Sequence, residues 1–228
     1  MSGNDSHSRQ CPRHVAVIGA AGGLGQGILS VRRAEGIGFT AIVRSRPERV
    51  IDVPHGSRVA VVTSLADEAA LMEAFCGADA VLTALGLTAT SYDRSALLSA
   101  NMATVEKSML AVGVDRILVV NTLLASQPSR AMRFFSWIPG RVGRGTSEQQ
   151  AVADALGNGA LSSLRWTLVR AGVNSQGRDE RPVATADWRG ALDSWLPVSY
   201  EAIGRWMLEE AVANRFVRAA PVVSRRRR

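Results

Sequence analysis

The sequence predicts an α/β fold, a doubly wound parallel sheet with helices on both faces. Three observations predict it. Short β-branched runs alternate with longer helical ones from His14 onward, the order required by parallel strands joined through right-handed crossovers. The strand candidates are continuously apolar, as a sheet covered on both faces demands. A glycine-rich turn, Gly19–Gly25, separates the first strand from the first helix.

In chain order, the expected strands are Val15–Ile18, Thr40–Val43, Val59–Thr63, Ala80–Ala84, Ile117–Val120 and Trp166–Val169. The expected helices are Leu24–Ala34, Asp67–Phe75, Arg94–Val112 and Ser147–Leu156. A helix over Tyr200–Ala213 and a short strand over Phe216–Ala220 are expected to close the domain. Residues 123–146 and 174–198 read as irregular and are expected to form a small substrate lobe. Both follow the C-terminal ends of strands, the edge where open α/β sheets bind ligands.

The 228 residues suit one sizeable domain, expected over 13–220. Residues 1–12 are polar and expected to be disordered, and 221–228 form a basic tail. The formal charge is +7, and Arg225–Arg228 supply four of it, leaving three for the rest. Such a tail either binds nucleic acid or anionic membranes or is simply solvated; neither nucleic acid nor a membrane is the expected partner. Lys107 is the sole lysine among 27 basic residues, a bias that reads as coding composition.

Cys11 and Cys76 are too few for a disulfide framework. His7, His14 and His55 show no ligand spacing, so no metal site is expected. A reducing, cytoplasmic location follows. The uncharged stretch Val15–Gly25 holds four glycines and flows into an amphipathic helix, unlike a secretory leader. No apolar run of 18 residues exists to span a membrane, so none is expected as a partner.

The segment Val15-Ala-Val-Ile-Gly19-Ala-Ala-Gly22-Gly23-Leu24-Gly25 has the spacing G-x-x-G-x-x-G. Gly19 allows a sharp turn, Gly22 a close approach of backbone to a pyrophosphate, and Gly25 close helix–strand packing. Free N–H groups from Ala21 to Gly25 and the positive helix end then hold phosphate. In a first βα unit followed by others, this argues for a Rossmann-type dinucleotide site over a purely structural turn. The second strand ends Arg44-Ser45-Arg46, where an NAD site would carry Asp or Glu. The two guanidinium groups and the serine hydroxyl suit a 2′-phosphate, hence NADP(H). The competing reading is a pair of solvated arginines.

With these residues in place, the chain resembles an atypical short-chain dehydrogenase/reductase of the NAD(P)H-binding, NmrA-like group that includes flavin reductase/biliverdin reductase B. Further signposts are Ile42-Val-Arg44, Ser64-Leu-Ala-Asp67, Ala78–Gly86, Ala111–Thr122 and Leu164–Gly172. The resemblance implies that Ser64 and Leu65 lie beside the adenine. It implies that Ala84, Leu85 and Gly86 line the ribose and pyrophosphate. Asn121 and Thr122, with Arg170, Ala171 and Gly172, would lie near the nicotinamide. Thr63-Ser64 stands where the family often has Gly-Asp, and Arg170-Ala-Gly where it often has Arg-Pro-Gly.

The Tyr-x-x-x-Lys pair of many short-chain reductases is absent, since Ala96 follows Tyr92 and Gly204 follows Tyr200 at that spacing. Thr122 or Asn121 could instead donate a hydrogen bond to a substrate oxygen; a strand-end or cofactor contact is the alternative. Glu148 and Asp154 are either substrate-contacting or solvated helix charges. Phe134, Phe135, Trp137, Trp188 and Trp195 suit a flat apolar substrate or a lid's own core. The expected function is NADPH-dependent reduction of a planar conjugated molecule such as a quinone, flavin or polycyclic ketone. A redox-sensing regulator without turnover and a non-redox isomerase or cyclase are the competing functions.

Overall fold

The computed structural model describes residues 13–31, 36–51, 56–85, 97–122, 141–171, 182–185 and 198–224, without the side chains of 122, 141–146 and 185. Expectations for residues 1–12, Gly86, Gly172, the five aromatic residues and the arginine tail lie outside them.

Six strands and four helices run in sequence: β1 (His14–Ile18), α1 (Gly23–Val31), β2 (Gly38–Val43), β3 (Arg58–Val61), α2 (Glu68–Phe75), β4 (Ala80–Thr83), α3 (Leu98–Ala111), β5 (Arg116–Thr122), α4 (Arg141–Gly157) and β6 (Arg165–Ala171). β7 (Val183–Thr185), α5 (Tyr200–Ala213) and β8 (Val222–Ser224) complete the described chain. The sheet order is β3-β2-β1-β4-β5-β6-β8-β7. Every pairing is parallel except β7 on β8. The doubly wound sheet is therefore present. Among the described residues, no helix is long and apolar enough to cross a membrane.

The strand period of two divides the core between the faces. Val15 and Val17 of β1 pack with α1 and α5, together with Leu118 and Val120 of β5. Ala16, Ile18, Ile117 and Val119 pack with α2, α3 and α4. Where α1 crosses α5, the backbones nearly touch. A Cβ on Gly27 would lie 2.5 Å from Tyr200 Cβ, and one on Gly204 would lie 2.9 Å from Ile28 Cα. Small residues on both helices permit this approach, which fixes the helix that follows the glycine turn.

Three expectations need correction. The strand expected at Phe216–Ala220 is a turn over Arg215–Arg218 followed by a single bridge from Ala219 to Thr167. Asn214 and Arg218 adopt left-handed φ values of 51° and 54°, which an extended strand excludes. Buried Glu210 holds this turn by accepting the Phe216 N–H at 2.8 Å and Arg215 Nε at 3.0 Å. The last strand instead begins after Pro221. The stretch 174–198 also contains the antiparallel β7, and α4 begins at Arg141 instead of Ser147.

Glu210 also meets Arg116, whose Nη2 lies 3.4 Å from Glu210 Oε1 with both side chains 0% exposed. Arg116 Nη1 donates to Arg165 O at 2.6 Å, while its Nε has no partner. Burial pulls its pKa down to about 10, so the guanidinium stays cationic at neutral pH.

Candidate functional site

At the C-terminal edge of the sheet, β1 turns into α1 through the glycine loop. Gly19 has φ of +84°, and a Cβ there would sit 3.1 Å from Leu85 Cδ2 and 3.2 Å from Ala84 O. Its N–H and that of Ala20 donate to Ile42 O, fixing the loop to β2. A Cβ on Gly25 would lie 2.5 Å from Gly19 O and 2.6 Å from Ala20 Cα. That is the helix–strand contact its place in the motif predicts. Gly22 and Gly23 are exposed. Gly22 N–H closes the turn onto Gly19 O at 3.0 Å. The amides of Ala21, Gly23, Leu24 and Gly25 have no partner among the described residues. Four open donors at a helix N-terminus without an acid in its first turn form an anion cradle.

At the neighbouring edge, Arg44, Ser45 and Arg46 follow β2, and all three are exposed. The arginines have no ion pair among the described residues. Arg46 is left-handed, with φ 60° and ψ 58°, and opens a 3₁₀ turn over Pro47–Arg49. The first carboxylate after β2 is Glu48, beyond the proline. After β3, Ser64 Oγ accepts the Ala66 N–H at 3.0 Å, and Asp67 caps α2 through the Ala70 N–H. Leu65, 6% exposed, belongs to the core on the α2 face. Ala84 is buried beside the loop, and Leu85 O accepts Gln149 Nε2 at 3.1 Å.

The third group gathers at the ends of β5 and β6, where Asn121 pairs with Arg170 and Thr122 with Ala171. Asn121 is 0% exposed; its Nδ2 donates to Gln149 O at 2.8 Å, and its Oδ1 has no partner. Its amide ties β5 to α4. Arg170 is also buried, and its Nε donates to Ala220 O at 2.7 Å. Burial lowers its pKa. Ala171 lies in the core on the α1 face.

Glu148 and Asp154 are engaged within the protein. Glu148 accepts both the N–H and the hydroxyl of Ser99 and so caps the first turn of α3. Asp154 accepts Gln150 Nε2 at 2.8 Å. Sequence reasoning missed Gln149, the link between Asn121 and Leu85. Its signal was present, because Gln149, Val152 and Leu156 share the buried stripe of α4. A polar residue on such a stripe has a specific partner more often than not.

A profile of the NAD(P)H-binding family matches residues 19–214. The chain belongs to that family. Solved structures agree at the level of fold. A short-chain dehydrogenase/reductase (wide type) from Veillonella parvula, in complex with NADP, is 17% identical, with a TM-score of 0.69 over 93% of this chain and 94% of its own. A Rossmann-fold NAD(P)-binding protein from Shigella flexneri is 18% identical, with a TM-score of 0.67 over 93% of each chain. A Streptococcus pneumoniae protein assigned as an NADH-flavin reductase is 18% identical, with a TM-score of 0.63 over 94% of this chain and all of its own. Comparison with curated protein sequences gave no match.

The donor set of this NAD(P)H-binding protein fits its family's ligand. Four amides have no partner among the described residues, and a Cβ on the exposed Gly22 would meet only backbone oxygens, Gly19 O at 3.3 Å and Ala84 O at 3.9 Å, which leaves room there for a diphosphate; the Tyr200 ring closes the Gly23 side, 2.7 Å from a Cβ on that residue.

Proposed function

We propose that the chain is an NADPH-dependent reductase that acts on a planar conjugated small molecule, such as a quinone, flavin or polycyclic ketone. The row of amides beside two exposed arginines, all without a partner among the described residues, carries this reading. In it, Gly19–Gly25 hold the pyrophosphate, and Arg44, Ser45 and Arg46 receive the 2′-phosphate. Ser64 and Leu65 flank the adenine, and Ala84, Leu85 and Gly86 follow the ribose and pyrophosphate. Asn121, Thr122, Arg170, Ala171 and Gly172 border the nicotinamide. Bound NADPH supplies a hydride. The chain's own residues orient cofactor and acceptor, which suffices where the acceptor spreads the arriving charge or takes its proton from water.

Asn121 acts as a strut in this scheme, because its side chain is fully buried and tied to α4. Thr122, at the exit of β5, is the donor to the substrate oxygen. Thr122→Val keeps the shape and removes the hydroxyl. Turnover is expected to fall roughly ten- to a thousand-fold with NADPH affinity little changed. Steady-state kinetics with parallel calorimetry checks both halves; normal turnover would remove Thr122 from the chemistry.

Replacing Arg44 and Arg46 together by Ala is expected to weaken NADPH binding roughly ten- to a hundred-fold and leave NADH unchanged. This is the effect of losing a charge-assisted contact made only to the 2′-phosphate. Equal losses for both cofactors would refute that assignment. The overall reading is tested by NADPH oxidation across quinones, flavins and polycyclic ketones. Turnover supports the reductase. Tight binding without turnover supports a cofactor-bound regulator, and product without a change of oxidation state supports an isomerase or cyclase.

A further inference from the structure

Gln26 lies in the second turn of α1, half-buried, and its side chain leaves the helix. Its Nε2 donates to Ala20 O in the glycine loop at 2.9 Å and to Arg49 O at the end of the 3₁₀ turn at 3.2 Å. One amide nitrogen with two hydrogens thus joins the anion cradle to the segment that carries Arg44 and Arg46. That segment is otherwise held from below by Val50, which is buried in the core on the α1 face. Arg49 N–H donates to Arg46 O at 3.1 Å. The contact from Gln26 to Arg49 therefore acts on the same turn that keeps Arg46 left-handed. A side-chain-bearing residue holds that conformation only where its surroundings over-determine it.

We propose that Gln26 is a positioning residue for cofactor choice: beyond the backbone bonds that tie the glycine loop to Ile42 of β2, it holds the turn after β2, and with it the arginines, at a set distance from the pyrophosphate donors. The proposal rests on the reading that those arginines receive a 2′-phosphate. NADPH engages both places at once. Its second attachment is intramolecular, and its worth depends on how well the two places are held at the matching distance. NADH makes the pyrophosphate attachment but offers only a hydroxyl at the other end. Loss of the brace therefore weakens NADPH selectively, without any direct contact between Gln26 and ligand.

Gln26→Met retains length and helix preference and removes both donors. Calorimetry on the full chain is expected to give an NADPH Kd raised about ten-fold and an NADH Kd unchanged, with melting temperature little altered. Hydrogen exchange at Arg49 and Val50 is expected to quicken in the ligand-free variant. In the Arg44→Ala/Arg46→Ala background, Gln26→Met should cost NADPH almost nothing more, since the end it positions is already gone. Equal losses for both cofactors, no loss for either, or an additive loss in that background would each overturn the proposal. The underlying reading fails separately, and takes the proposal with it, if the wild type shows no preference for NADPH or the arginine variant binds as the wild type does. If Gln26→Met does not fold, Gln26→Ala is held to the same outcomes.

Discussion

Gly22→Val is expected to cut NADPH and NADH affinity together, by roughly a hundred- to ten-thousand-fold, while the protein stays folded. Gly22 is exposed at the lip of the anion cradle, and its φ lies outside the left-handed region, so its backbone accepts a side chain. A Cβ would meet Gly19 O at 3.3 Å and Ala84 O at an ordinary 3.9 Å, and a few tenths of an ångström of give relieves the first contact. The valine side chain would take up open space at Gly22, where the proposed diphosphate lies. Loss of two charge-assisted hydrogen bonds, at about 1.5–3 kcal/mol each, gives the stated range. Gly25→Val is the contrasting variant. Its Cβ would lie 2.5–2.7 Å from Gly19 O and the Ala20 backbone, so it is expected to unfold the domain instead of merely emptying it. Calorimetry paired with thermal melting separates the two. Undiminished affinity in folded Gly22→Val would show that phosphate does not sit on this loop.

Glu210→Ala is expected to destabilise the protein by about 3–5 kcal/mol, the scale of breaking a buried ion pair from one side. The substitution strands Arg116 without a counter-charge at 0% exposure. It also removes the acceptor of the Phe216 N–H and of Arg215 Nε. At about 2–4 °C per kcal/mol for a chain of this size, melting should fall by roughly 6–20 °C. Arg116→Met with Glu210→Leu removes both charges and keeps apolar volume, and it is expected to recover most of the loss. If Glu210→Ala melts within a degree or two of the wild type, the pair contributes no net stability.

Legibility in the sequence followed the range of the interactions. The glycine loop was readable because its geometry is local. Gly19 and Gly25 are fixed by the turn and by the helix it opens, and the structure shows the positive φ at the first and the close backbone contact at the second. All six central strands were located to within two residues of each boundary, with β5 and β6 each reaching one further pair, Asn121-Thr122 and Arg170-Ala171, because continuous β-branched runs mark fully buried strands. The C-terminal segment misled. Phe216–Ala220 has the composition of a strand, yet a carboxylate six residues upstream and two left-handed residues turn it aside. β7 has three residues and pairs only at the sheet edge, too short for a periodic signal. Asn121 was placed at the correct edge, but its burial against Gln149 depends on α4, twenty-eight residues away. Gln26 carried no sequence signal, because both of its acceptors are backbone carbonyls, which any residue supplies.

The separation of Arg116 from Glu210 has a consequence for synthesis. The acid follows the base by 94 residues, so at about 5–20 residues per second the ribosome delivers it roughly 5–20 s later. During that interval β1, β4 and β5 can pair, but closing the sheet over Arg116 would bury an unmatched cation. The nascent chain therefore gains by leaving this end of β5 wet until α5 emerges from the exit tunnel. The sheet is thus completed only after α5 has been made, and a product interrupted before Glu210 leaves Arg116 without its carboxylate.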